Sequence, residues 1–315
     1  MFLTVTIQTH NNAGMLDATL QKLQTLQCPL ESDYEILVVD NNSSDSTPEV
    51  IRMHMETQRA RMRSVFESAQ GLSHARNRAL KEASGEVVCF LDDDVVVDPG
   101  WLHAVSAAFK KYGADVVGGR SYLIYPCDRP EWMSPLTEVL LSRLDHGDTA
   151  LVNTDKDLFG LNFSVRRRLA IELGGFRTDY GRRGKSLTCG EEIELLDRVR
   201  NRGGMVVYEP AAVVGHVVKP ERLSRSWLLR RTYAGAVATE RLLIGKGKVG
   251  RVGALGMHTA RCWGSVLKSL LWRRDSALTL FEKQYYAAYS LGRFAASVRN
   301  SYFSISPKIR RGTQV

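Results

Sequence analysis

The chain has 315 residues, 44% hydrophobic and 24% charged, which excludes a largely disordered protein and leaves room for one large domain or a domain with an appendage. Its net charge of +9 is unevenly placed: residues 221–315 hold 18 Lys and Arg against 4 Asp and Glu, so this tail is +14 and residues 1–220 are −5. Five cysteines, Cys28, Cys89, Cys127, Cys189 and Cys262, are odd in number and far apart, which excludes a disulfide framework and a structural zinc site of paired cysteines.

Residues 1–7 lack a basic segment followed by a long apolar stretch, so they predict a first strand over 4–8 rather than a signal peptide, and a cytoplasmic location. Apolar residues at helical spacing predict a helix over 15–26, and a β-branched run predicts a second strand over 34–39. Ser46-Thr47-Pro48-Glu49 opens the next helix, with Thr47 as cap and Pro48 at its first position. A strand over 63–67, a helix over 73–84, a strand over 87–91 and a helix over 101–111 follow. This alternation predicts an α/β fold with a largely parallel sheet covered on both faces. It is a nucleotide-binding architecture without a dinucleotide fingerprint, because neither Gly-x-Gly-x-x-Gly nor a Gly-Lys-Ser/Thr phosphate loop follows the first strand.

The strand over 87–91 runs into three aspartates, Asp92, Asp93 and Asp94. Like charges so close repel, and they are expected where a divalent cation or a strong donor network offsets the repulsion. Strand carboxyl ends are also where open α/β sheets bind ligands. A solvated acidic turn is the plain alternative. Two polar clusters end the neighbouring strands, Gln8-Thr9-His10-Asn11-Asn12 and Asp40-Asn41-Asn42-Ser43-Ser44-Asp45. Such side chains read a pyrimidine edge and ribose hydroxyls, and they equally make turns.

Eight segments in order carry a family resemblance: Thr9 to Asn12, Val38 to Asp45, Gly71-Leu72-Ser73-His74-Ala75-Arg76-Asn77, Phe90 to Asp94, Gly160 to Arg167, Leu173-Gly174-Gly175-Phe176, Gly190 to Leu195 and Val214-Gly215-His216. Over roughly residues 1–235 the chain resembles the family 2 glycosyltransferases. The resemblance implies the GT-A nucleotide-diphospho-sugar transferase fold, a Rossmann-like, mostly parallel sheet, over 1–222, with a C-terminal basic helical appendage over 223–315. It further implies an inverting transfer from a nucleoside-diphosphate sugar, UDP-linked first, to a hydroxyl of a saccharide or lipid-linked acceptor, with Mn²⁺ or Mg²⁺ on the diphosphate.

By this resemblance Asp94 is the direct metal ligand, while Asp92 and Asp93 orient ribose, bound water or the sugar. His216 completes the metal shell, or is structural as a lone histidine beside a strand commonly is. Thr9, Asn11, Asp40 and Asn41 bracket base and ribose, with Asn41 standing where the family often has a second aspartate. Gly71, Leu72 and Arg76 belong to the same nucleotide-sugar group, and the Arg76 guanidinium suits a phosphate or base edge, a surface salt bridge being its alternative. Asn162 and Phe163 lie beneath the acceptor. The general base is expected in the pair Glu191-Glu192, with Glu192 at the position where the family has aspartate; ordinary first-turn glutamates would look the same. One base and no evident second nucleophile imply a single in-line displacement. The stretch 180–189 reads as a flexible loop that orders on donor binding.

In the tail, aromatic and apolar residues alternate with Arg and Lys over 224–244 and 252–272, separated by Gly245, Gly247, Gly250 and Gly253. Charges interrupt both stretches, so no membrane span is expected. A basic, tryptophan-bearing helical hairpin suits an anionic membrane surface at the inner face of the cell membrane. A packing appendage or a homo-oligomer interface is the alternative, and no nucleic-acid motif accompanies the charge, so no nucleic acid is expected. Residues 307–315 read as a frayed end. Two other functional classes share features of the front part: a metal-dependent nucleotidyltransferase, which usually has a Gly-rich loop after the first strand, and a non-catalytic nucleotide-sugar or carbohydrate-binding protein.

Overall fold

The structure is a computed structural model that describes residues 1–27, 34–57, 61–184, 186–245 and 277–305. Along the front of the chain run β1 (Leu3–Thr9), α1 (Ala13–Leu23), β2 (Tyr34–Asp40), α2 (Thr47–Thr57), β3 (Arg61–Phe66), α3 (Leu72–Glu82), β4 (Val87–Asp92), β5 (Val95–Val97) and α4 (Trp101–Tyr112). Every element expected there forms, with ends shifted by a few residues. Thr47 is the first helical residue of α2 rather than its cap, and the Asp45 carboxylate accepts the Thr47 N–H at 3.1 Å.

β6 (Val116–Ile124), α5 (Pro135–Glu138), β7 (Leu151–Val152), β8 (Asn162–Arg166), α6 (Arg167–Glu172), α7 (Glu191–Asn201) and β9 (Val206–Val217) follow, then α8 (Arg225–Gly245) and α9 (Ala277–Ile305). Among the described residues nine strands make one sheet in the order β3-β2-β1-β4-β8-β6-β9-β5, with β7 beside β9. β3, β2, β1 and β4 are parallel neighbours. Beyond β4 the sheet is mixed: β8 runs antiparallel to β4 and β6, β6 parallel to β9, and β5 antiparallel to β9. The sequence pattern anticipated the parallel half only.

Alternation along β4 divides the core. Val87, Cys89 and Leu91 face the layer that holds α1 and α4, while Val88 and Phe90 face the layer that holds α3 and α7, and all five are fully buried. Register then sets the functional edge, because Thr9 lies opposite Asp40 and Gln8 opposite Asp92.

The chain divides into two compact units, one of residues 1–128, 141–186 and 191–220, which contains the sheet, and a second of 129–140, 187–190 and 221 onward. In the second unit α8 packs on α9. A Cβ at Gly292 would collide with the Tyr233 carbonyl, so glycine permits the close approach. Buried Glu240 accepts from Arg293 Nε at 2.7 Å and Ser297 Oγ at 3.0 Å, pinning the register of the two helices. The helix expected over 224–244 is therefore present, and its described partner is α9, which the sequence did not foretell. The expected second helix over 252–272 and the end over 307–315 lie outside the described residues, as do Cys28 and Cys262. No helix among the described residues is long and apolar enough to cross a membrane.

A buried carboxylate ties the parallel half together. Glu35 in β2 accepts from Arg63 Nε (2.9 Å) in β3, Thr4 Oγ1 (2.9 Å) in β1 and the Ser84 N–H (2.8 Å) after α3. Burial opposes its ionisation, but these hydrogen bonds outweigh burial and hold its carboxyl down to about 2. Glu35→Gln, which leaves Arg63 without its counter-charge, is expected to lower stability by about 3 kcal/mol at neutral pH. A group depressed on folding stabilises fully above its unfolded value, here 4.5, and its contribution fades as pH falls toward about 2. Urea unfolding of both proteins at pH 7, 4 and 2.5 should therefore show a gap that closes with acid.

Candidate active site

The carboxylates gather where β4 gives way to β5. Asp93 Oδ2 accepts from Thr9 Oγ1 at 2.7 Å, and Asp93 Oδ1 accepts from Asn12 Nδ2 at 2.8 Å. Lys219 Nζ donates to the other end of the same amide, Asn12 Oδ1, at 2.8 Å. Asp93 keeps some solvent contact, yet the protein packed around it and then the charge of Asp94 push its carboxyl up to about 7, against the lowering effect of the Thr9 and Asn12 hydrogen bonds. From α1, Thr19 Oγ1 lies 3.1 Å from the Asp93 carbonyl and 3.0 Å from the Val95 carbonyl, which share its one proton, and it accepts from the Val95 N–H (3.2 Å), which fixes the backbone of the turn.

Strand pairing brings His216 to Asp94. Val95 lies opposite His216 in the β5–β9 ladder, and the Val217 N–H donates to the Asp94 carbonyl at 2.8 Å. His216 Nδ1 is 2.7 Å from the Leu141 carbonyl, which only accepts, so Nδ1 carries a proton. Nε2 faces Asp94 Oδ2 at 3.4 Å, with the two side chains 3% and 5% exposed. In the neutral ring two acceptors then face each other in a buried site, an arrangement that a proton or a cation between them resolves. Two ligands about 2.1 Å from one octahedral cation are about 3 Å apart, so the pair fits a shared ion. Among the described residues no group of three or more His, Cys, Asp or Glu converges on one point.

Arg76, from α3, is the hub of the remaining charges. It is 2% exposed, and Nη1 lies 2.7 Å from Glu191 Oε1 and 4.0 Å from Glu192 Oε2, while Nη2 lies 3.5 Å from Asp92 Oδ1. The expectation that Arg76 presents itself to a phosphate or a base edge is corrected here: its guanidinium is enclosed by protein and set among three carboxylates. Glu191 and Glu192 open α7, with Glu191 buried and Glu192 13% exposed at the side chain.

The strand-end clusters divide between site and scaffold. Asp40 accepts the Ser43 N–H at 3.0 Å through one oxygen. Asn41, expected at the ribose, donates to the carbonyls of Glu67 (3.0 Å) and Ala69 (2.9 Å) and accepts the Gly71 N–H (2.7 Å). Its amide is committed to holding the loop after β3, so the expected ribose contact is corrected to a structural role. Asn11, at φ 48°, accepts from the N–H groups of Ser44 (2.7 Å) and Asp45 (3.3 Å), which knits the two clusters together. Gly71 takes φ 141°, a backbone open to glycine, and the Leu72 N–H donates to the Arg182 carbonyl at 2.9 Å. Ser73 Oγ donates to the Tyr180 carbonyl at 2.9 Å, so the start of the loop expected to be flexible is tied to α3.

Asn162 and Phe163 are also corrected. Asn162 Oδ1 accepts from Trp101 Nε1 at 2.8 Å, and Nδ2 donates to the Arg120 (3.1 Å) and Ala212 (2.8 Å) carbonyls, so the side chain bridges β6, β9 and α4 beneath the surface. Phe163 is fully buried with Phe90 and Phe176. Asn162 is 2% exposed and Phe163 fully buried, so both belong to the scaffold beneath the surface in this structure. Sequence reasoning passed over Thr19, Lys219 and Leu141. Thr19 had a signal, a hydroxyl in the apolar stripe Leu16, Leu20, Leu23 of α1. Lys219 and the Leu141 carbonyl had none, since only the tertiary path brings them in.

The pattern of the family described as Glycosyl transferase family 2 matches residues 4–174. Among relatives, the glucosyl-dolichyl phosphate glucuronosyltransferase of Haloferax volcanii is 25% identical over 166 residues, 52% of this chain and 53% of that one, so the chain spans about half the length of this relative. The succinoglycan biosynthesis protein ExoM of Rhizobium meliloti is 26% identical over 232 residues, 73% and 72% of the two chains. Among solved structures, the mannosyltransferase PcManGT of Pyrobaculum calidifontis, in complex with GDP-Man and Mn²⁺, superposes with a TM-score of 0.62 at 20% identity, covering 96% of this chain and 87% of that one. Matched by the family pattern over more than half its length, and built on the mostly parallel sheet of the GT-A fold, the chain belongs to glycosyl transferase family 2.

Proposed function

We propose that the chain is an inverting glycosyltransferase that moves a sugar from a nucleoside-diphosphate donor, UDP-linked first among those to test, to a hydroxyl of a saccharide or lipid-linked acceptor. The observation that carries this is a single edge where the buried Asp94–His216 pair and the Glu191–Glu192 pair are joined through Asp92 and Arg76. The mannosyltransferase neighbour holds a nucleotide sugar with Mn²⁺, and the names of the two relatives point to a lipid-linked and a polysaccharide product.

Asp94 and His216 would hold Mn²⁺ or Mg²⁺, and the imidazole favours Mn²⁺. Two protein donors suit a cation that takes its other ligands from phosphate oxygens and water. When bound, the cation neutralises charge that grows on the departing diphosphate. Asp40 and Thr9, at register-matched strand ends, are assigned to base and ribose, and Asn11, Gly71 and Leu72 are assigned to the same nucleotide-sugar group. Asp92 and Asp93 are assigned to the ribose, bound water and the sugar.

Glu192 is assigned as general base. Glu191 is engaged by Arg76 at 2.7 Å, whereas Glu192 stands farther off at the more exposed position. Its carboxylate takes the acceptor hydroxyl proton as the oxygen attacks the anomeric carbon and the bond to the diphosphate breaks, so the anomeric configuration inverts. The second unit, with its share of the +14 tail, is assigned to an anionic membrane surface that presents a lipid-linked acceptor at the inner face.

Calorimetric titration with UDP and GDP, with and without Mn²⁺, should show metal-dependent binding of one nucleotide, and Asp94→Ala should remove that metal dependence. Glu192→Gln should slow turnover about 100-fold or more while donor affinity stays within about threefold; unchanged turnover would remove Glu192 from the base role. The full chain should co-sediment with phosphatidylglycerol vesicles and not with phosphatidylcholine vesicles, and release in high salt would mark the contact as electrostatic. Equal partition to both lipids, or to neither, refutes the membrane assignment.

A further inference from the structure

Arg76 is a cation sealed into the molecule. The guanidinium lies 5.9 Å from the Phe90 ring centre and 5.5 Å from that of Phe176, so it is clad by aromatic faces as well as by carboxylates. Its enclosure is built in by glycine: a Cβ at Gly160 would collide with both terminal nitrogens, and one at Gly181 would press on Ser73 Oγ and the Glu191 carboxylate. A charge this buried is tolerated only when paired, and removal of one partner leaves the other uncompensated.

The pairing is unequal in an informative way. The same nitrogen, Nη1, faces Glu191 at 2.7 Å and Glu192 at 4.0 Å, while Nη2 faces Asp92 at 3.5 Å. Glu191 Oε1 takes a short charge-assisted bond, which fixes the first residue of α7. Glu192, the next residue, is thereby set in direction, at 4.0 Å from the same positive charge. Arg76 thus spans from the end of β4, on the donor side, to the start of α7, on the side of the base.

We propose that Arg76 is a positioning residue for the transfer step: by gripping Glu191 and Asp92 it keeps Glu192 aimed at the acceptor, and it makes no contact with the donor phosphates. The proposal rests on the reading of Glu192 as base and deepens it. Arg76 acts through Glu192 and Glu191, so its loss falls on turnover rather than on donor binding. Lysine keeps the charge without the planar fork that serves Nη1 and Nη2 at once, so it restores only part of the effect. A displaced base loses rate steeply, since a misplacement of about 1 Å can lower rate about 100-fold.

The test uses donor hydrolysis, which needs no identified acceptor because water can serve as one. A panel of UDP- and GDP-sugars with Mn²⁺ identifies the donor that the unmodified chain cleaves, and kcat and KM for that donor are then measured for five variants, Glu192→Gln among them. Arg76→Met is expected to lower kcat about 100-fold with donor KM within about threefold, and Arg76→Lys to recover about tenfold of that loss. Gly160→Ala, which displaces the guanidinium without altering any charge, should lower kcat at unchanged KM. The double variant Arg76→Met with Glu191→Met replaces the buried pair with apolar side chains; it should regain thermal stability relative to Arg76→Met and remain slow.

A double variant with restored kcat would reduce Arg76 to a purely structural role and overturn the proposal. A loss confined to KM in Arg76→Met would make it a donor contact and overturn it equally. Failure of the underlying function looks different: the unmodified chain then cleaves no sugar nucleotide, or Glu192→Gln cleaves as fast as the unmodified chain.

Discussion

Five carboxylates crowd one edge of the sheet, and their mutual repulsion is the constraint on which the rest of the site depends. Asp92, Asp93 and Asp94 follow one another along the chain, and Glu191 and Glu192 approach them across the fold through Arg76. The means that offset them differ along the edge. Asp93 has two hydrogen-bond donors and a carboxyl raised to about 7, Asp92 and Glu191 share one guanidinium, and Asp94 faces His216 Nε2 at 3.4 Å, where a proton or a cation between them would offset its charge. Glu192 lies farther from the same guanidinium, at 4.0 Å, and its side chain is 13% exposed.

Holding these groups in place falls to elements far from the chemistry. Thr19 clamps the turn after β4 from the next layer, Asn162 binds three elements together beneath it, and the buried Phe90, Phe163 and Phe176 cluster backs Arg76. The residues that looked most like ligand contacts by type, Asn41 and Asn162, turn out to have their amides fully engaged with backbone groups. A buried amide left without partners would be destabilising, so asparagine in a strand or at a strand end serves the scaffold as readily as a substrate.

β6 and β9 carry the same lesson for the fold. Both pair across the sheet with a shift between Gly119 and Arg120, where a Cβ on Gly119 would collide with the Ala212 carbonyl. The bulge lets β9 continue to His216 at the level of Asp94. Without that offset the imidazole would meet a different rung of the ladder, since strand register moves side chains in whole steps.

What the sequence determined by itself was local. Alternating apolar runs and helical stripes set the parallel half of the sheet, the apolar run ending in Asp92-Asp93-Asp94 placed the acidic turn at a strand end, and the ordered segments from Thr9 to His216 identified the family. These signals survive in one dimension because periodicity and strand termini are properties of neighbouring residues. Which side chains meet was decided only by tertiary structure. The antiparallel insertion of β8, the pairing of Val95 with His216, the burial of Arg76 between Asp92 and Glu191, 115 residues away from it in sequence, and the withdrawal of Asn162 and Phe163 into the core all depend on long-range register and packing. Residue type announces what a side chain can bind; only the fold determines whether solvent, substrate or its own backbone is there to be bound.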